Sequence, residues 1–588
     1  MANSKGIIAG KVVLVALWIA TRFPFLRRFL QMLRPFVTAF LYRGGHGDYL
    51  IMLRSEKYKG TDVAIIQAPG WGVNTPPLAI ARLTAYLRVN GMRVMPVDVN
   101  AVMYRDNKDR YPDGWKDSVD YFWTNPAVVE MFLGDNKAIL DAYLDAIVES
   151  GVKVAGFSVY TSSLAMSIYM AKELKKRKKD IVTVFGGAAV SVFMGGMEMM
   201  KENDCVDVVV EGEGEVTLLE IVKDAREGRG LRAYAGAAAR INGIIKEGPP
   251  RELIKDLDTL PFADFSDYDF FMYREPFKLP LESCRGCVNR CIFCNERTFW
   301  KKYRFRSGDA LYEEIKYQTA KYPHVTYIEF HDSLCNGNIR ELERMCNRLM
   351  EDGARFFWGG QAIVRKEMTY DLLVKLKKSG CVTLAYGLES TSKTVLARMG
   401  KVFSRDADID RLMRDSYKAG VGAGLNFMFG FPGETDAEAE ENVEFLRRNA
   451  PYIFAVNPSS AFFLVCPGTE AYMYPEKFGI DLSKGGWYWD SVDGKNTYLK
   501  RLERFERFIS EVHRLKIPCT YPHATMINRN EVIANYYYHI GGYGEAIPYY
   551  EESIRSESDD RIKRAKLAES RERVGLKIGA KEERRTVA

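Results

Sequence analysis

Cys284-Arg-Gly-Cys287-Val-Asn-Arg-Cys291-Ile-Phe-Cys294 decides the reading of this 588-residue chain. Four of its ten cysteines fall in that one segment, and the others are scattered singly. Thiolates at 287, 291 and 294, spaced four and three apart, can converge from one loop on a single metal centre, as in iron–sulfur sites. Three ligands to a four-iron cluster leave one iron open for a substrate or cosubstrate. A zinc site is the competing reading. Zinc sites of this kind usually take a further ligand from a second Cys or His pair at fixed spacing, and no such pair follows. Cys284 reads as a spectator. So few cysteines in so long a chain exclude a disulfide scaffold.

Working outward, the quoted loop follows an apolar run at 278–282 that opens an alternating series. Further strands are expected at 326–331, 355–358, 382–387, 424–429 and 453–464, with helices at 340–349, 370–378 and 437–448 among them. Six β/α units in about 190 residues suggest a partial barrel, since a complete eight-fold one takes ~250. Active groups should gather at the C-terminal ends of its strands.

Upstream lies an earlier alternation. Strands are expected at 62–68, 92–99, 153–159, 181–185 and 206–210, and helices at 76–89, 137–149, 163–176 and from 215. This pattern indicates a doubly wound parallel sheet with helices on both faces. Ligands of such folds bind beyond the carboxyl ends of the strands. Here those ends are Pro69-Gly-Trp71-Gly72-Val-Asn74, Ser158-Val-Tyr160-Thr161-Ser162-Ser163, Gly186-Gly187 and Glu211-Gly212-Glu213-Gly-Glu215. Residues 230–250 read as a small β excursion turning at Asn242-Gly243, and 256–265 as a linker.

The ends of the chain are less regular. The clean apolar run from Val12 to Ala20 is far shorter than the ~20 residues that cross a bilayer. Arg22, Arg27, Arg28 and Arg34 then alternate with large apolar residues, a basic amphipathic pattern suited to an anionic membrane surface or to packing on the protein itself. After 477, helices are expected at 498–512 and in two pieces across 531–553 joined at Gly541-Gly542, followed by a charged tail ending in disorder. Lys plus Arg number 84 against 77 Asp plus Glu. The resulting +7 is small for so large a chain and calls for no nucleic-acid partner. Hydrophobic content of 47% excludes wholesale disorder.

Cys287-x3-Cys291-x2-Cys294, with Phe293 before the last cysteine, resembles the signature of the radical S-adenosylmethionine (SAM) superfamily. The resemblance implies that Cys287, Cys291 and Cys294 hold a 4Fe–4S cluster, that SAM chelates the open iron, and that its reductive cleavage yields a radical able to take hydrogen from an unreactive carbon. Phe293 would pack near adenine. Tyr386-Gly-Leu-Glu389-Ser390 is similar to the fourth-strand motif near SAM, and Gly430-Phe-Pro432-Gly-Glu434-Thr435 to the fifth-strand motif near adenine and ribose. Glu329-Phe-His331-Asp332-Ser333 stands at the second-strand end, which puts Asp332 among the SAM-site candidates, and Pro467-Gly-Thr469 follows the sixth. Pro76-Pro77-Leu78, Val97-Asp-Val-Asn100, Gly156-Phe-Ser158, Gly186-Gly187 and Gly212-Glu-Gly-Glu215 resemble the cobalamin-binding domain fused to many of these enzymes. Trp71, Gly72, Asn74, Pro77, Ser158, Tyr160, Thr161, Ser162, Gly186, Gly187, Glu211, Gly212 and Glu213 are then the candidate cobalamin contacts.

The resulting expectation is an α/β protein. A basic amphipathic segment (1–55) precedes a Rossmann-like, cobalamin-binding-type domain (60–250) and a linker (251–275). A partial (β/α)6 TIM barrel (276–475) and a helical C-terminal region (476–588) follow. Residues 62–250 contain no histidine, so no histidine ligand to cobalt comes from that domain. Cys335 and Cys466, just beyond the second and sixth strand ends, are candidate catalytic thiols or hydrogen donors; a small buried apolar role is the plainer reading. The expected activity is methylation of an unactivated carbon with a 4Fe–4S cluster, SAM and cobalamin. Cyclisation, rearrangement or carbon–carbon coupling is the alternative, and a methylthiotransferase a remoter one. Expected partners are a small-molecule, lipid or peptide substrate, an electron donor such as ferredoxin or flavodoxin, and a membrane surface touched by 1–45. The expected setting is a reducing or anaerobic cytoplasm.

Overall fold

The computed structural model describes residues 46–112, 114–115, 120–190, 195–353, 355–459, 462–519, 528–556 and 561–576. The basic amphipathic segment at 1–45 and the expected disordered end beyond 576 lie outside them. The chain divides into two compact units. The first comprises residues up to 288 with 296–361 and 375–382, and the second 289–295, 362–374 and 383 onward.

In the first unit, five parallel strands form a sheet: β1 (Val63–Gln67), β2 (Val94–Asp98), β3 (Val154–Ser158), β4 (Val182–Gly186) and β5 (Val208–Val210). Every residue of β1, β2 and β3 is buried, as expected of a parallel sheet covered on both faces, whose strands read as continuous apolar runs. The order is β2-β1-β3-β4-β5, so the winding reverses between β1 and β3. That crevice is where a ligand of such a sheet belongs. The 230–250 excursion is a hairpin, β6 (Ala237–Ile241) and β7 (Ile244–Glu247), added antiparallel to β5. Asn242 and Gly243 both take positive φ (50° and 80°), the geometry of a tight two-residue hairpin turn.

The second series gives a sheet of six strands, β8 (Lys278–Leu281), β11 (Tyr327–Phe330), β12 (Phe357–Ala362), β13 (Cys381–Glu389), β14 (Gly422–Phe427) and β15 (Ala455–Pro458), and between the first two a separate pair, β9 (Cys284–Arg285) with β10 (Arg304–Phe305). The sheet runs β8-β11-β12-β13-β14-β15 without reversal. This is the one-directional winding of a partial barrel, and the α/β class holds.

Two expectations shift. The strand expected at 453–464 stops at Pro458. Beyond it the chain leaves the sheet to make core: Phe462 takes φ 56°, Phe463 N–H donates to the Phe429 carbonyl, and Phe463 O accepts from the indole of Trp489. The helix expected at 137–149 begins eleven residues earlier, as Pro126–Glu149, because Asn125 caps it (side chain accepting from Ala127 N) and Pro126 starts it. In the second unit the core gathers Ile292, Val395, Leu396, Met399, Phe431, Phe463, Val465 and Trp489. A smaller cluster, Ala534, Ala546, Tyr550 and Leu567, holds helices Arg529–His539, Tyr543–Ser556 and Arg561–Arg573 together.

Candidate functional site

At the β1/β3 crevice the side chains of Trp71 and Tyr160 stack, with ring centroids 3.4 Å apart and planes 8° from parallel. Asn100, 1% exposed, holds the loop beneath. Its Oδ1 accepts from Gly70 N (3.1 Å), Trp71 N (3.4 Å) and Trp115 Nε1 (2.8 Å), and its amide donates to Trp71 O (3.0 Å). Gly187, at φ 109°, lets the β4 end come so near β3 that a Cβ there would stand 2.7 Å from Val159 O. Ser162 Oγ and Gln67 Oε1 are buried at this rim without a hydrogen-bond partner among the described residues. Tyr160, Gly186, Gly187, Glu211 and Gly212 are half-buried, Ser158 is buried, and Trp71, Gly72, Asn74 and Thr161 are exposed along the same rim. Pro77 stands at the N-cap position of helix Leu78–Val89 without a side-chain capping bond.

Glu213 has a different engagement. One oxygen accepts from Arg285 Nη1 (2.6 Å) and Arg304 Nη1 (2.7 Å), the other from Ile254 N (2.9 Å). Arg285, 4% exposed, also reaches Glu215 (2.5 Å) and Glu282 (3.1 Å). The rim loop after β5 is thereby tied to β9, two residues before Cys287. Asp332, at the end of β11, accepts from Ser283 N (2.9 Å) and from the Ser283 hydroxyl, and burial pushes its carboxyl up to about 6. Cys284 is locked in the same knot: its thiol donates to Leu334 O (3.0 Å) and lies 3.4 Å from Asp332. Burial and that carboxylate push its pKa well up, so it is a poor metal ligand. Cys335, 7% exposed, donates its backbone N–H to Gln361 O (2.7 Å), and burial pushes its thiol up too.

In the second unit the loop carrying Cys291 and Cys294 is fixed by its backbone. Ile292 N donates to Met399 O (3.1 Å) and Ile292 O accepts from Ala471 N (3.1 Å). Gly400, at φ 81°, allows the approach, since a Cβ there would meet Arg290 O at 2.6 Å. Phe293 packs edge-on to Phe463, centroids 6.1 Å apart. Glu389 takes φ 67° at a bulge in β13, and its carboxylate meets the buried Lys401 ammonium at 3.1 Å. Ser390 is buried and accepts from Ser392 N. The loop from Gly430 through buried Pro432 to Glu434 closes on itself, Glu434 accepting from Gly430 N (2.7 Å) and pairing with Arg504 (3.3 Å). Burial raises the Glu434 carboxyl to about 7. Cys466 is half-buried with its thiol raised by burial.

Comparison with known proteins matches residues 281–446 to the radical SAM superfamily and 119–222 to the B12-binding domain. The chain carries a B12-binding domain and a radical SAM domain. An uncharacterised methyltransferase of Pyrococcus horikoshii is 29% identical over 50% of this chain and 64% of its own length. The anaerobic magnesium-protoporphyrin IX monomethyl ester cyclase of Rubrivivax gelatinosus is 24% identical over 49% of this chain and 53% of its own. The chain thus spans about half to two thirds of the curated relatives it matches. The radical SAM methyltransferase TsrM of Kitasatospora setae, solved with cobalamin and a [4Fe-4S] cluster bound, shares the fold at TM-score 0.55 and 16% identity. That likeness covers 71% of this chain and 78% of TsrM.

The donor set of the radical SAM domain fits an iron–sulfur cluster. Cys287, Cys291 and Cys294 are half-buried in one loop, while Cys284 is committed to Leu334 and Asp332. Among the described residues no three His, Cys, Asp or Glu side chains are grouped as a metal site. The B12-binding domain fits a corrinoid through its stacked aromatic rim and the orphaned Ser162 and Gln67 oxygens. Sequence reasoning missed Asn496, Arg504 and the Arg285 knot, because each acts on a motif far away in the chain, and it missed Lys401, twelve positions past Glu389. Asn125-Pro126 carried a readable helix start.

Proposed function

We propose that this protein is a cobalamin-dependent radical SAM methyltransferase acting on an unactivated carbon. One observation carries the reading: a single compact unit contains both the rim of the B12-binding domain and the Cys284–Cys287 leg of the cluster loop, cross-braced by Arg285 to Glu213 and Glu215. Methyl transfer of this kind needs both cofactors held in one frame. When bound, the cluster, SAM and cobalamin supply the radical and the methyl group. The chain's own residues orient and exclude water. Cys287, Cys291 and Cys294 would hold the cluster. Glu389 with Lys401 and the Gly430–Glu434 loop would hold SAM. Trp71 and Tyr160 would cover one face of the corrin and keep water from it, and Ser162 and Gln67 offer the polar contacts.

Cyclisation of a tetrapyrrole-type substrate on the same site is the second reading, favoured by the cyclase among the relatives. The substrate class proposed is a small molecule, lipid or peptide, and the reductant a ferredoxin or flavodoxin in an anaerobic cytoplasm. Among the described residues no helix is long and apolar enough to cross a membrane. Contact of residues 1–45 with a membrane surface is part of the proposal, and liposome flotation with and without them checks it.

The deciding experiment is anaerobic reconstitution with iron, sulfide and hydroxocobalamin, then labelled SAM, a reductant and cell extract. Methylation gives S-adenosylhomocysteine and a product heavier by one methylene. 5′-Deoxyadenosine without S-adenosylhomocysteine supports cyclisation, and neither product refutes both.

A further inference from the structure

The chain after β15 reads from its sequence as a helix in a weakly patterned, charged region. The geometry points to a closer role: Asn496, Arg501 and Arg504 are positioning residues that set the Gly430–Glu434 loop for SAM. This rests on the reading that the loop contacts SAM. Asn496 is 2% exposed, and its amide donates to Gly430 O (3.0 Å) and Phe431 O (3.1 Å). The peptide planes on both sides of Phe431, directly after Gly430, are therefore set by one side chain from beyond the barrel. Gly430 sits at φ 75°, and a Cβ there would run into the stem of Arg501. Arg501 is fully buried, donates to Trp489 O (2.6 Å), and places its guanidinium 4.2 Å from the centre of the Trp489 ring. Arg504 completes the clamp, bridging Glu434 (3.3 Å) and Asp436 (3.0 Å). Glu434 in turn accepts from Gly430 N, so every backbone polar group at Gly430 is held from this one side.

None of these three side chains need touch SAM. By fixing carbonyl and amide directions in advance they remove the ordering cost that a mobile glycine loop would impose on a nucleoside. A region that resembles an appendage thereby belongs to the SAM-binding machinery.

The test is SAM affinity, by equilibrium titration of reconstituted protein, read beside iron content and cobalamin retention. Asn496→Asp keeps the shape and loses the donor; Arg504→Met loses the charge. Each is expected to weaken SAM by about tenfold or more, the worth of a buried hydrogen bond or charge-assisted bond, and to raise KM for SAM more than it lowers kcat. Arg504→Lys should recover most of the affinity, and iron and cobalamin should stay at wild-type levels throughout. Unchanged SAM affinity in both Asn496→Asp and Arg504→Met overturns the inference. Parallel loss of iron, cobalamin and SAM overturns it too, by marking the residues as general scaffold. If the wild type carries full iron and shows no SAM saturation, the underlying reading of the loop fails instead.

Discussion

Replacing Arg285 by Met should destabilise the protein by about 3–4 kcal/mol, the lower part of the range for removing one partner of a buried ion pair. The magnitude follows from what is left behind. Arg285 is 4% exposed and contacts Glu213 at 2.6 Å, Glu215 at 2.5 Å and Glu282 at 3.1 Å, those side chains being 6%, 6% and 14% exposed. Glu213 keeps Arg304 at 2.7 Å and Ile254 N, so the penalty falls on Glu215 and on Glu282, one oxygen of which is already buried without a partner among the described residues. A buried carboxylate without its cation has a folded-state pKa above the ordinary ~4.3. A raised carboxyl pKa contributes stability at low pH that is lost as pH rises through it, so the variant should suffer less at pH 5 than at pH 8. Arg285→Met with Glu215→Gln should regain much of the loss, since a neutral buried side chain costs far less than an unpaired charge. Urea unfolding of the cluster-free protein, followed by circular dichroism at both pH values, measures this. A loss below about 1 kcal/mol that does not change with pH would refute the reasoning, because it would place the cluster of charges in water.

Other outcomes are expected. Cys284→Ser should keep iron and SAM cleavage, whereas alanine at 287, 291 or 294 should each strip the cluster; iron analysis with the visible absorption of the reconstituted protein decides. SAM affinity should fall as pH drops from 8 to 6, because Glu434, with its carboxyl near 7, loses the charge that meets Arg504. Glu434→Gln should flatten that profile in titrations across pH. Trp71→Ala should lower hydroxocobalamin retention on gel filtration by opening the stacked rim, while Gly134→Ala in helix Pro126–Glu149, where an added Cβ meets nothing within 4 Å, should retain it.

The cysteine loop and both strand series were legible because their signals are local. Thiol spacing lies within one loop, and the apolar runs of β1 to β5 repeat at strand length. The Asn242-Gly243 turn needed only the residues that form it. The strand expected at 453–464 misled for a related reason: its apolar residues continue past Pro458, yet they are buried as core around Trp489 rather than as sheet. Apolarity records burial, and it does not say against which partner.

Sequence by itself determined that this chain pairs a doubly wound domain with a partial barrel, and it singled out 287, 291 and 294 as the candidate cluster thiols. Tertiary structure alone decided what holds them and what holds the loops beside them. Cys284 is engaged by Leu334 and Asp332, some fifty positions away. Glu213 turns from the rim toward Arg285, and Gly430 takes its direction from Asn496. These are single hydrogen bonds and ion pairs between residues remote in the chain, and no periodicity records them. They exist only once burial has excluded water and made an unpaired polar group costly.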